Sequence, residues 1–279
     1  MRLRSLLFVP GDRPERFAKA ADCGADAIIL DLEDSVSLAH KDAAREAVSR
    51  YLSGPSPAKR FVRINPVDSG QIDADFTAAG GADGIVLPKS AGACSVQQIR
   101  ARLTPGMTVL PIATETPQAI FGLGTYSEVA DMLCGLTWGA EDLPAAIGAV
   151  SSRHADGSFT TPYEMARTLT LFGAHAAGVA AIETVYPGIK DEQGLAAYAA
   201  RGAYDGFTGM MALHPAQVPI INAAFTPSEE QIAQAREIVA VFDAAPGAGV
   251  LMLNGKMVDA PHLAQARKIL ARAEISASG

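Results

Sequence analysis

The sequence predicts an α/β protein, a (β/α)8 TIM barrel with a C-terminal helical extension. Three observations predict it. Eight short apolar runs alternate with helix-like segments; the runs are continuous, as in strands buried on both faces; and each leads into a polar or charged side chain. The runs are LLFVPG, DAIILDLED, FVRINP, GIVLPK, VLPIATE, MLCGLTWG, VAAIETVY and FTGMMALHP, each too short for a helix and bounded by Gly, Pro or acidic residues. Helix-like segments fill the gaps at Pro14 to Cys23, Ala39 to Leu52, Ser95 to Leu103, Pro117 to Ala130 and Pro162 to Ala177. Several open with proline, whose missing N–H costs nothing in a first turn. An open doubly wound sheet is the competing architecture. Its glycine fingerprint is absent from the first turn, which reads Pro10-Gly11-Asp12-Arg13-Pro14.

Residues 1–223 are assigned to the barrel and 224–279 to an extension that is not an independent domain. The extension opens with Thr226-Pro227-Ser228-Glu229, a capping-box pattern with proline in the first turn, and a helix runs on to about Phe242. A hairpin-like stretch turning at Asn254-Gly255 and a helix from Pro261 to Ala273 follow. A lid, an oligomer arm and packing under the barrel floor all suit such an extension.

Composition narrows the function classes. The chain has 279 residues, 49% hydrophobic and 19% charged, enough to bury a large core. Its 23 Lys+Arg against 30 Asp+Glu leave a net charge of −7 with no basic stripe, which argues against a nucleic-acid partner and for a small molecule. Cys23, Cys94 and Cys134 have neither zinc-site spacing nor an even count for disulfides, and point to a cytoplasmic setting. Arg2 and Arg4 precede an apolar stretch, but Leu6 to Val9 stops at Pro10. This reads as a first strand, not a signal peptide, and no run is long enough to span a membrane.

Read to its end, each run delivers polar side chains to one rim: Asp12; then Asp31, Glu33 and Asp34; Arg63 and Asn65; Lys89; Glu115; Glu141 and Asp142; Glu183; and His214. Barrels keep their sites at this rim. Glu115 and Asp142, on neighbouring strands, are a candidate pair for one cation, and two carboxylates with open positions suit Mg²⁺. They fit equally well as caps of the following helices. Arg63 interrupts an apolar strand and needs an anionic partner, either a substrate or the Asp31/Glu33 pair, which share one strand face. Lys89 is a rim charge or an anion contact. The loop Thr137 to Leu143 forms a plain turn, or lets the amides of Ala140, Glu141 and Asp142 hold a carboxylate. Arg13, Arg16 and Lys19 read as a solvated face or as a grip on phosphates.

The segments LLFVPGDRPERFAKA, GADAIILDLEDSV, VRIN, GIVLPKS, GAEDL, AIETVY, LHPAQV, FTPSEEQI and GKMVD, in that order from about Arg4 to Leu270, resemble the HpcH/HpaI aldolase and citrate lyase family, in its citrate-lyase-β-subunit-like CoA ester lyase branch. The resemblance implies a Mg²⁺-dependent barrel, with Mn²⁺ as the substitute ion, that cleaves or forms a 2-hydroxyacyl-CoA thioester to an acyl-CoA and a small 2-keto acid through an enolate. It implies Arg63 as the substrate-binding and catalytic arginine, and Glu115 and Asp142 as metal ligands. Asp259 in GKMVD is implied as a catalytic acid contributed by a neighbouring protomer of a homotrimer or hexamer. Arg13, Arg16 and Lys19 fall where relatives face CoA. Two departures bear on substrate choice: strand five reads Ile112-Ala113-Thr114-Glu115-Thr116, and the last strand reads Gly209-Met210-Met211-Ala212-Leu213-His214-Pro215, without the lysine many relatives carry. The competing functions are an aldolase on free 2-keto-3-hydroxy acids and a β subunit active only in a larger complex.

Overall fold

The computed structural model describes residues 1–277. The chain forms two compact units, Leu3–Asn222 and Met1–Arg2 with the chain from Ala223 onward. The first holds β1 (Ser5–Pro10), β2 (Ala27–Asp31), β3 (Lys59–Arg63), β4 (Gly84–Leu87), β5 (Thr108–Pro111), β6 (Gly135–Thr137), β7 (Ala180–Glu183) and β8 (Gly209–Ala212). They hydrogen-bond in parallel in the order β5-β4-β3-β2-β1-β8-β7-β6. The two ends of that order meet. Val109 bridges Leu133 and Ile112 bridges Thr137, with Cys134 N–H donating to the Val109 carbonyl (3.0 Å) and Ala113 N–H to that of Thr137 (2.8 Å). These bridges bring the sheet round into the predicted barrel.

Strand alternation sorts the interior. Leu6, Ala27, Ile29, Phe61, Val86, Leu110, Ile112, Ile182 and Met211 form one buried cluster. Asp31 and Arg63 continue the phase of Ile29 and Phe61, one step further toward the C-terminal rim, and are directly paired in register. Strand ends therefore convert an apolar plug into a polar floor within a single residue pair.

Two helices start later than the sequence suggests, because each opens with a tight 3-10 turn. Pro14–Arg16 precedes the helix Phe17–Ala21, and Leu38–His40 precedes Lys41–Leu52. Thr161–Ala177 carries Pro162 in its first turn and ends on Gly178, whose φ of 69° suits the left-handed cap. The C-terminal unit holds helices Glu229–Ala244 and Ala260–Ala277, which pack on each other, and the antiparallel pair β9 (Val250–Leu253) and β10 (Lys256–Asp259). Asn254 and Gly255 turn it with φ of 49° and 76°, the twist a two-residue hairpin requires. The capping box sits two residues later than expected. Ser228 and Gln231 form it, leaving Pro227 outside the helix, because Thr226 N–H is spent on the Ala223 carbonyl (3.4 Å). No helix among the described residues is long and apolar enough to cross a membrane.

Gly209 marks the tightest approach in the barrel: a Cβ there would run into the carbonyl oxygens of Leu3 and Arg4. Neither is a movable side chain. Gly209→Ala is expected to lower unfolding free energy by about 1–3 kcal/mol, read by urea titration. Wild-type stability would show that the β1–β8 junction is looser than this geometry.

Candidate active site

The site is built on a buried ion cluster at the ends of β2 and β3. Arg63 donates Nε to Asp31 Oδ1 and Nη2 to Asp31 Oδ2, both at 2.7 Å, and its Nη1 lies 2.9 Å from Glu33 Oε2. Its guanidinium also sits over the Phe8 ring, 4.9 Å from the centroid. Burial alone would lift the Asp31 pKa, but the paired Arg63 bonds and charge hold it below the usual carboxylate range. Glu33, buried with weaker compensation, is pushed up. Arg63 is thus paired with Asp31 and Glu33, the protein-carboxylate reading of the sequence, and it lines the cavity.

A second layer fixes this cluster. The Lys41 ammonium donates to the carbonyls of Leu32 (2.6 Å) and Glu33 (2.7 Å) and to Asn65 Oδ1 (2.8 Å). Asn65 in turn donates its backbone N–H (2.7 Å) and Nδ2 (2.8 Å) to the fully buried Asp75, which Arg45 closes from outside at 2.8 Å. Lys41 and Asp75 carry no motif. A lysine opening a helix and an aspartate early in another read as solvent-facing, so sequence reasoning passed over both.

Across the rim, Glu115 follows β5 and accepts the Lys89 backbone N–H at 2.5 Å. Lys89 Nζ lies 2.7 Å from Glu33 Oε1 and 3.4 Å from Asp142 Oδ1. Burial, and then the charges of Asp142 and Glu33, push Glu115 up to about 8. Glycine is required opposite it, because a Cβ at Gly139 would sit 2.9 Å from Glu115 Cγ. Arg63, Glu115, Ala140, Glu141 and Asp142 together line a cavity of about 310 Å³ with apolar walls from Phe8, Ile112, Val185, Met211 and Leu213.

Behind Thr184 and Gly139 lies a further buried network that the sequence reading noted only as a strand-end acid. Glu183 accepts from Trp138 Nε1 (2.5 Å), Arg167 Nε (2.7 Å) and Tyr198 Oη (2.9 Å). It locks the end of β7 to the loop that carries Ala140 to Asp142.

The other expected residues lie elsewhere. Arg13 and Arg16 are exposed beside Asp12 and Glu15, each 3.9 Å away, and Lys19 is exposed on the next helix; none lines the cavity. Arg16 belongs to the 3-10 turn and Lys19 to the α-helix, so they do not share one regular helical face. Asp259 ends β10 in the C-terminal unit, where His262 Nδ1 contacts its Oδ1 at 2.6 Å and holds its pKa down.

The donor set fits a small hard cation. Glu115 is a buried carboxylate short of positive charge, and Asp142 faces the same cavity. No group of three His, Cys, Asp or Glu side chains suited to a metal occurs among the described residues. An ion held by this pair would draw its remaining ligands from water and substrate, as Mg²⁺ commonly does.

Comparison with known proteins gives the family and the fold. Residues 4–215 match the HpcH/HpaI aldolase/citrate lyase family. The chain is 37% identical over 269 residues to a citrate lyase subunit beta-like protein of Mycobacterium tuberculosis, covering 96% of this chain and 94% of that one. It is 35% identical over 283 residues to a (3S)-malyl-CoA thioesterase of Cereibacter sphaeroides, covering 99% and 96%. Its fold matches the crystal structure of CitE from M. tuberculosis in complex with magnesium, acetoacetate and coenzyme A. The TM-score is 0.82 at 36% identity, over 97% of this chain and 98% of that one.

The electrostatics of Glu115 set a pH dependence. With its carboxyl at about 8 when folded and near the ordinary glutamate value of 4.5 when unfolded, Glu115 costs the metal-free fold nothing below 4.5, progressively more between, and its full cost above 8. In chelator, Glu115→Gln is expected to match wild type near pH 4 and exceed it by a few kcal/mol near pH 9, by denaturant titration. An equal difference at both pH values would place Glu115 in a solvated setting.

Proposed function

Because the chain belongs to the HpcH/HpaI aldolase/citrate lyase family, we propose that it is a Mg²⁺-dependent carbon–carbon lyase acting on CoA esters. Its substrate is a 2-hydroxy acid joined to CoA, of the malyl-, citramalyl- or citryl-CoA kind, with the hydroxyl on the carbon next to the free carboxylate and β to the thioester carbonyl, cleaved to, or formed from, an acyl-CoA and a small 2-keto acid. The observation that carries the reading is the rigid Arg63 cation facing the same cavity as Glu115 and Asp142. Magnesium- and CoA-bound CitE, similar across nearly its whole length, supports both small molecules, as does the malyl-CoA thioesterase relative. A cavity of about 310 Å³ suits the keto-acid and thioester ends, leaving the nucleotide of CoA outside.

Glu115 and Asp142 would hold Mg²⁺, or Mn²⁺ in its place, which when bound polarises the substrate's oxygens. Amides from Ala140 to Asp142 orient the substrate carboxylate at the start of the helix Asp142–Ile147. In cleavage the hydroxyl β to the thioester carbonyl loses its proton to a base, the keto acid's carbonyl forms at that carbon, and the electrons of the bond to the thioester's α-carbon pass to the thioester as an enolate. Arg63, at the cavity wall, is the cation that stabilises this negative charge. Asp259, supplied by a neighbouring protomer of a homotrimer or hexamer, handles the proton at the enolate carbon. Arg13, Arg16 and Lys19 meet the phosphates of CoA outside the cavity.

The test is mass spectrometry of purified protein with Mg²⁺, a panel of malyl-, citramalyl-, citryl-, acetyl- and propionyl-CoA, and glyoxylate or pyruvate. Wild type is expected to interconvert one thioester with its acyl-CoA and keto acid, and Glu115→Gln to convert none. Arg63→Ala would strip the partner from two buried carboxylates and unsettle the fold. Arg63→Lys keeps the charge and is expected to lose about 10²–10³ in rate. Turnover of free 2-keto-3-hydroxy acids without any thioester would make the chain a free-acid aldolase. Hydrolysis to free CoA alone would make it a thioesterase, and silence relieved only by partner subunits would make it a dependent β chain.

A further inference from the structure

We propose that the Lys89 ammonium is an internal counter-ion for the metal pair: it neutralises Asp142 in the metal-free protein, releases it when Mg²⁺ binds, and thereby weakens Mg²⁺ affinity. This rests on reading Glu115 and Asp142 as the Mg²⁺ ligands.

The geometry behind it is unusual for a rim lysine. Lys89 stands two residues past the end of β4 with φ of 50°, one of only two non-glycine residues with positive φ among the described residues, the other being the hairpin Asn254. That backbone accompanies the donation of its N–H to Glu115 Oε2, while the side chain swings the other way to Glu33 and Asp142. One residue therefore contacts both carboxylates of the pair through two different groups.

The two ends of the ammonium's span differ in kind. Toward Glu33, a carboxylate only 4% exposed, it makes a hydrogen-bonded ion pair at 2.7 Å. Toward Asp142, a third exposed, it makes an ion pair at 3.4 Å without hydrogen-bond geometry. Asp34, at 4.0 Å and exposed, adds a still weaker third contact. The Glu33 contact is the anchor, and the Asp142 contact is the one a stronger cation displaces.

Charge arithmetic gives the direction. At this rim the acidic side chains Asp31, Glu33, Asp34, Glu115, Glu141 and Asp142 outnumber the cations Arg63 and Lys89, a deficit of positive charge that a divalent cation lessens. Removing the Lys89 charge deepens the deficit beside the ion's place and removes its competitor for Asp142. Even at water's dielectric constant, one unit charge near a dication shifts binding by about tenfold.

The experiment is calorimetric titration of MgCl₂ into the full-length, metal-free protein without any CoA ester, comparing wild type, Lys89→Met, Lys89→Gln, Lys89→Arg and Glu115→Gln. Melting curves in chelator select the variants that fold. Lys89→Met and Lys89→Gln are expected to bind Mg²⁺ about tenfold more tightly than wild type, Lys89→Arg near wild type, and Glu115→Gln at least tenfold more weakly. Unchanged or weaker binding in both neutral variants, with wild type binding and Glu115→Gln impaired, overturns the counter-ion while leaving the ligand pair intact. Failure of wild type to bind, or binding unaffected by Glu115→Gln, overturns the ligand pair and the counter-ion together.

Discussion

A guanidinium at the end of a barrel's apolar core is the constraint around which the site is organised. Arg63 sits directly above Phe61 in strand phase, where an unpaired cation would carry the full cost of desolvation. Asp31 answers it in register from β2, and Glu33 from two residues further on the same face. The triad behaves as a unit. Asp31 is held ionised by the arginine, while Glu33, with the weaker share of Arg63, is free to engage Lys89 as well. The cluster thereby reaches from β2 and β3 to β4, and through the Lys89 backbone to Glu115 after β5.

Each side of the cavity is backed by its own buried polar network, and this keeps a loop-built rim rigid. Lys41, Asn65, Asp75 and Arg45 tie the β2 and β3 ends to the helices outside them. Glu183, Trp138, Arg167 and Tyr198 do the same for β6 and β7. Both networks are fed from helices packed on the barrel's outer face. Positions facing substrate thus inherit their precision from residues that never touch it.

Strand ends were the most legible part of the sequence, since continuous apolar runs and the polar residues that close them follow from burial on both faces. Asp31, Arg63, Lys89, Glu115, Asp142 and Glu183 were all visible that way. The sequence left undecided whether Arg63 meets a protein carboxylate or a ligand, and the structure pairs it with Asp31 and Glu33 at the wall of the cavity. Lys41 and Asp75 were illegible because helix polarity patterns assign a lysine and an aspartate to solvent. Only three-dimensional packing reveals that each fills a buried gap between strand ends. The starts of two helices, Phe17–Ala21 and Lys41–Leu52, were displaced by 3-10 turns, while Pro117 and Pro162 mark first turns as expected. The surroundings of Asp259 within its own unit, a hairpin end paired to His262, belong to a capping geometry that spacing alone does not specify.

The position of the carboxylate pair in the barrel has a further consequence. Glu115 and Asp142 stand on opposite sides of the β5–β6 junction, where isolated bridges, rather than a continuous ladder, bring the sheet round. Beyond those bridges the two sides are tied by the reciprocal contacts of Thr114 and Gly139, at 3.2 and 3.3 Å. Gly139 also leaves the room that Glu115 fills. A cation shared by the pair would therefore join the two strands at the point where backbone hydrogen bonds run out. Binding free energy for the ion would then also be free energy for closing the barrel. A carboxylate pair placed in the middle of a ladder, such as β1–β2, would find its strands already fixed and would gain no such coupling.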